Sequence, residues 1–261
     1  MVYTFCGCSI TVGEGLPLEK SSPKNYANIV ANHYSADINN LAVGGNSNYN
    51  IFITALNEIL FNTPDKIFVQ WSGIQRTWIY PNAELDNFLV MSPAITADIV
   101  VDNVSGLHAR IFKDKKEIQK FIDQYLLLNG DYVNLLKLIE YSNILKKVAD
   151  DSNCQLIMIN GLVPWTDDLL RLGIITNYNK ELSDYTKSMI EFDTRNDEDI
   201  ERYIAKLEKE FNSLDKKSWV NIFNSLKTLA VDYGTDQIHP GPKSHQMYAD
   251  MVIKYIEENN G

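Results

Sequence analysis

Four short apolar runs stand out along the chain: Val2–Cys6 (VYTFC), 38–43 (INNLAV), Lys66–Trp71 (KIFVQW) and Gln155–Asn160 (QLIMIN). The last two are almost continuous in β-branched, aromatic and aliphatic side chains, the pattern of strands covered on both faces. Between the runs the apolar spacing changes from two to about 3.6. It predicts helices over 23–34, 50–61 and 132–149, the last with Val133, Leu136, Ile139 and Leu145 near helical spacing. A further helix opens on Asp197, Glu198 and Asp199, where acids suit the positive end of the helix dipole, and lines up Ile200, Tyr203, Ile204, Leu207 and Phe211. Segments 219–230 and 242–258 are predicted to add two more.

Strands alternating with helices imply a parallel sheet with right-handed crossovers, an α/β fold in three α/β/α layers. No repeat, low-complexity tract or linker interrupts the chain, so one domain over 1–261 is expected, with a helical elaboration over about 166–230. In such sheets ligands bind beyond the carboxyl ends of the strands. The segments leaving those ends are 7–15, 44–50, 72–110 and 161–166. The stretch 71–110 is long and poor in helical period, as suits a pocket wall better than a connector.

Composition narrows the function classes. The 261 residues are 45% hydrophobic and 22% charged, as in ordinary globular proteins. A net charge of −10 argues against nucleic acid or an anionic membrane as the main partner, since both require a basic footprint. The three cysteines, Cys6, Cys8 and Cys154, form no metal-binding spacing, and their odd number argues against a disulfide framework. The first basic residue is Lys20, and no uncharged apolar run approaches the roughly 18 residues of a membrane span. A soluble, cytoplasmic protein is expected.

Several chemistries lose ground because their motifs are missing. The chain has no G-x-S-x-G elbow, H-E-x-x-H, Walker A loop or G-x-G-x-x-G fingerprint. Neither a metal nor an organic cofactor is expected. What remains lies at the two ends. Directly after the first strand, Gly7-Cys8-Ser9-Ile10-Thr11 places the Ser9 hydroxyl on a sharp strand-to-helix turn. There it serves either as a helix cap or as a nucleophile. Near the other end stands Asp236-Gln237-Ile238-His239-Pro240-Gly241. An aspartate three residues before a histidine can hold the imidazole Nδ1–H and leave Nε2 outward as a base, or it can simply cap the following helix.

Together these blocks resemble the SGNH, or GDSL-like, serine hydrolases, in which the nucleophile comes first and Asp and His come last. The resemblance spans nearly the whole chain except 167–230. It implies Ser9 as nucleophile, His239 as general base and Asp236 as its orienting acid. The family's second block supplies a backbone N–H to the oxyanion, which carries over to Gly45, with Gly44 the alternative; the Ser9 N–H is the other donor. The implied activity is hydrolysis of small acyl esters through an acyl-enzyme, with O-acetyl groups on carbohydrate as the substrate guess and no cofactor.

Two positions depart from the family pattern. Gly-Asp-Ser reads Gly-Cys-Ser, so the ordering done by the aspartate must come from elsewhere. The third block's Gly-x-Asn-Asp is absent after the third strand, where the sequence reads Trp71-Ser72-Gly73-Ile74-Gln75-Arg76. Losing one oxyanion donor costs about 2.7–4 kcal/mol of transition-state stabilisation in hydrolases. The substitutes weighed are the Asn48 amide, the Ser72 hydroxyl and the Arg76 guanidinium. Trp71, Trp78, Tyr80 and Trp165 leave the same sheet edge and could form a platform for a sugar or acyl chain. Cys8 is expected to be an inert buried thiol, because neighbours at a strand end face opposite ways. Two other readings stay open: a catalytically weak hydrolase fold that binds a glycan or a protein, and a module binding phosphate at the Gly7–Ser9 turn.

Overall fold

The computed structural model of the chain describes residues 1–74, 76–79, 89–91, 114–128, 131–162, 197–221 and 224–259. Its elements in order are β1 (Val2–Cys6), α1 (Ser9–Val12), α2 (Tyr26–His33), β2 (Asp37–Asn40), α3 (Asn48–Phe61), β3 (Lys66–Trp71), β4 (Thr77–Ile79), β5 (Leu89–Met91), α4 (Lys115–Leu128), α5 (Asp131–Asp151), β6 (Gln155–Asn160), α6 (Asp197–Asn212) and α7 (Pro242–Asn259). The chain divides into two compact units. The first comprises Met1–Gly73, Glu140–Trp165 and Leu214–Gly261; the second comprises Ile74–Ile139 and Thr166–Ser213. The second unit contains the antiparallel hairpin β4–β5 and the helices α4 and α6. Most of the elaboration expected over 166–230 lies outside the described residues.

The first unit is built on a parallel sheet of order β2-β1-β3-β6. Its register sets Val2 beside Asp37, Tyr3 beside Lys66 and Lys66 beside Gln155. One face, carrying Tyr3, Phe5, Phe68, Ile157 and Ile159, packs on Tyr26, Ala27 and Val30 of α2 and on Tyr248, Val252 and Ile256 of α7. Phe5 and Phe68 stack at its centre with ring centroids 4.3 Å apart. The opposite face is covered by α3 and the end of α5, where Phe52 stacks on Tyr141 at 4.5 Å. This is the three-layer α/β arrangement the alternating pattern predicts.

The predicted helix over 219–230 does not form. A short 3₁₀ turn, Lys216–Ser218, is followed by chain that runs along β6: Trp219 bridges Met158, and the N–H groups of Val220, Leu226 and Lys227 donate to the carbonyls of Met158, Asn160 and Gly161. Backbone donors satisfied sideways by a sheet edge are not available for a helix ladder. The second apolar run is likewise shorter as a strand than expected, ending at Asn40.

Two buried polar residues organise this body. Gln70, fully buried in β3, accepts from the Cys8 N–H at 3.2 Å and the Thr11 hydroxyl at 2.9 Å, and donates to the Trp71 carbonyl at 2.6 Å. It ties the turn after β1 to the sheet. His245 of α7, also fully buried, accepts the Tyr26 N–H at Nδ1 (3.2 Å) and stacks on the Tyr26 ring, locking α7 to α2.

Replacing Gln70 with leucine leaves the Cys8 N–H unsatisfied in the interior, whereas the Trp71 carbonyl keeps the Gly161 N–H and the Thr11 hydroxyl keeps Tyr26. At roughly 1–3 kcal/mol for one buried donor, chemical denaturation should report a loss of about 2 kcal/mol. Burial lowers the His245 pKa to about 4. The unfolded chain therefore takes up the proton first, and stability falls as pH drops from about 6.5 to about 4. The group contributes about 3 kcal/mol to this fall, so His245→Gln should flatten the pH dependence of the unfolding midpoint by that amount.

Candidate active site

β1 ends at Cys6, and the chain turns through Gly7 and an extended Cys8 (φ −109°) into α1, which begins at Ser9. The helix lasts one turn because Gly13, at φ 81°, closes it: the N–H groups of Gly13 and Glu14 both donate to the Ser9 carbonyl. The turn is braced on every side. Gln70 holds Cys8 and Thr11, the Tyr26 hydroxyl meets the Thr11 hydroxyl at 2.8 Å, and the Asn25 and Asn40 amides donate to the Thr11 carbonyl. Ser9 itself is 7% exposed, and its hydroxyl has no hydrogen-bond partner among the described residues.

The C-terminal block forms a tight loop before α7. Asp232 closes its neck, its carboxylate accepting from the N–H groups of Lys243 and Ser244 and from the Ser244 hydroxyl. Within the loop Gln237 adopts φ 58°, a left-handed conformation that costs energy for a side chain of its size. That turn lets Asp236 act twice. Its Oδ1 accepts the N–H groups of Ile238 and His239 at 3.0 Å each, and its Oδ2 sits 2.6 Å from His239 Nδ1. The His239 contact, followed by these backbone bonds, lowers the Asp236 pKa to about 2. A carboxylate only accepts, so Nδ1 carries hydrogen and Nε2 faces outward.

The two blocks meet. The Gly15 carbonyl accepts from the Thr235 N–H at 2.9 Å and the Thr235 hydroxyl at 3.2 Å, across 220 residues of sequence. Gly15 stands at φ 86°, and a Cβ there would lie 2.9 Å from Asp236 Oδ1, so glycine is required for both reasons. The group at His239 Nε2 is Glu14, whose Oε2 lies 3.3 Å away. Its other carboxylate oxygen packs against Gly44, where an added Cβ would come within 1.9 Å.

The remaining expected residues fall in different places. Gly45 turns the chain beyond β2 at φ 69°. Asn48 opens α3 behind a Ser47 cap; its carboxamide accepts the Ser72 N–H at 2.7 Å and donates to the Gly73 carbonyl at 3.3 Å, pinning the exit of β3. That bridge uses one of the two amide hydrogens. Ser72 is buried, and Trp71, 1% exposed, belongs to the interior and offers no open ring face to a ligand. Arg76 lies in the second unit. Trp78 lies on β4, while Tyr80 and Trp165 fall outside the described residues. Cys8 is buried with its thiol 3.3 Å from the Gln70 amide oxygen.

Glu14 and Gln70 are the residues that sequence reasoning missed. A glutamine inside an otherwise apolar strand is the readable sign for Gln70, because a buried amide must find partners. Glu14, between two glycines five residues after Ser9, had no comparable signal. Among the described residues no group of His, Cys, Asp or Glu side chains is placed to hold a metal ion, and no helix is long and apolar enough to cross a membrane.

No family profile and no curated protein matches the sequence. Among solved structures the chain is similar to the psychrotrophic esterase of a Pseudoalteromonas species, at 10% identity and a TM-score of 0.42 over 98% of this chain and 97% of that one. It is also similar to an acetyl xylan esterase from Butyrivibrio proteoclasticus, at 18% identity and a TM-score of 0.47 over 100% of this chain and 64% of that one. A third likeness is to a GDSL-like lipase from Bacteroides thetaiotaomicron, at 11% identity and a TM-score of 0.42 over 98% of this chain and 88% of that one.

Proposed function

We propose that this protein is a serine esterase of the SGNH type that hydrolyses short acyl esters, with O-acetyl groups on carbohydrate as the substrate class. The observation carrying the proposal is the pairing of His239 Nδ1 with Asp236 at 2.6 Å on a loop that packs against the Ser9 turn. A partly buried imidazole with one nitrogen fixed to a carboxylate is a general base looking for a proton, and Ser9 is a buried-edge hydroxyl with no competing hydrogen bond.

In this reading His239 Nε2 takes the Ser9 proton as Oγ bonds to the ester carbonyl carbon. The developing oxyanion receives hydrogen bonds from the Ser9 and Gly45 N–H groups, and from the second Asn48 amide hydrogen in place of the family's third-block asparagine. When the carbon–oxygen bond to the alcohol breaks, the imidazolium passes its proton to the leaving oxygen. Water, deprotonated by the same nitrogen, then releases the acid and restores Ser9. Asp236 remains an anion throughout.

One observation favours a second reading. Nε2 is in contact with Glu14, and the Ser9 hydroxyl is not hydrogen-bonded to the ring, as suits a fold retained to bind a glycan or protein without turnover.

A fluorophosphonate probe separates the two. The esterase should be labelled at Ser9 by mass spectrometry, with labelling lost in Ser9→Ala and His239→Ala; an unlabelled wild-type protein overturns the esterase. Asp236→Asn should lower turnover of a short acyl ester by about 10³–10⁴, through loss of the tautomer it fixes. Asn48→Asp keeps the acceptor for Ser72 but removes the amide donors, and should lower turnover at least about tenfold. A silent Asn48→Asp would remove Asn48 from the oxyanion site.

A further inference from the structure

We propose that Glu14 lines the leaving-group side of the site and selects esters whose alcohol carries a free hydroxyl donor and no negative charge. The inference rests on the esterase reading and adds to it the chemistry of the alcohol portion.

Asp236 and Glu14 both act as acceptors, and they face opposite nitrogens of one ring, at 2.6 Å and 3.3 Å. A Glu14 oxygen in contact with Nε2 therefore marks the direction along which the imidazolium donates once Nε2 has taken the serine proton. In an esterase that same hydrogen is delivered to the leaving alcohol oxygen. The two acceptors must share one region, so the alcohol of the substrate arrives beside the Glu14 carboxylate.

The carboxylate is held in that region. The Glu14 N–H is bonded to the Ser9 carbonyl, the next residue is pinned by Thr235, and the far oxygen packs against the bare face of Gly44. Its side chain is 32% exposed, and among the described residues no lysine or arginine pairs with it. An anion of this kind repels a negative charge brought within a few ångströms. It also accepts a hydrogen bond from a neighbouring hydroxyl, a charge-assisted bond stronger than a neutral one. A polyol ester satisfies both conditions.

The test compares three acetates of similar length: propyl acetate, glycerol monoacetate and 3-acetoxypropionate. The readout is the ratio of kcat/KM values within each protein, so a change in absolute rate does not enter. Wild-type protein should prefer glycerol monoacetate to propyl acetate at least about fivefold, and should disfavour the anionic ester at least about tenfold. In Glu14→Gln both ratios should fall to within about twofold. Gly44→Ala keeps the carboxylate but forces it to swing away, and should weaken both preferences in the same direction. If Ser9 is labelled but the ratios are equal in wild type and Glu14→Gln, the role of Glu14 is overturned and the esterase stands. If Ser9 is not labelled at all, both fall.

Discussion

At Gly15 the two ends of the chain touch backbone to backbone, and the geometry of the whole site follows from that contact. A Cβ on Gly234 would lie 2.4 Å from the Gly15 carbonyl, and one on Gly15 would reach the Asp236 carboxylate. No side chain can be inserted at this junction without prising the loops apart. Because the Gly13 and Glu14 N–H groups hang from the Ser9 carbonyl, the junction sits one short turn from the serine. The Ser9 turn, the Glu14 carboxylate and the His239 loop therefore form a single backbone-linked cluster. They are not three side chains that meet by chance at a sheet edge.

Cys8 offers the turn no carboxylate, and the ordering of the turn comes from one strand away. Gln70 collects the Cys8 N–H, the Cys8 thiol and the Thr11 hydroxyl on one amide oxygen. An amide does this without bringing a charge into the interior, where an unpaired carboxylate would be costly. It also leaves Asp236 and Glu14 as the two carboxylates that His239 faces, with no third anion introduced beside the serine. The turn is thus ordered from the sheet by a neutral group.

Much of this was readable from the sequence, and the exceptions share a cause. Val2–Cys6, Lys66–Trp71 and Gln155–Asn160 are strands with the predicted bounds, because a fully covered strand leaves an uninterrupted apolar run. The Asp236–His239 pairing is local, three residues on one turn, and so was legible. The segment after Trp219 was misread as a helix because its periodicity is overruled by a tertiary partner, the free edge of β6, that no local pattern encodes. Asn48 stood out only as a candidate oxyanion donor, and its clamp on Ser72 and Gly73 was not legible. Glu14 was invisible for the strongest form of that reason: its position is set by Gly44 and His239, each remote in sequence.

The two carboxylates on His239 are not equivalent, and the difference separates holding from yielding. Asp236 is bound by two backbone N–H groups of its own turn besides the ring, so it cannot follow the imidazole or leave it. Glu14 meets the ring through one oxygen, 3.3 Å from Nε2, at the end of a longer side chain, with its other oxygen resting against a glycine. Any group competing for Nε2 displaces Glu14 at the cost of one contact, whereas competing for Nδ1 would mean dismantling a loop. That asymmetry immobilises Nδ1, fixing the tautomer and ring plane, and leaves beside Nε2 a neighbour that a competing group can displace.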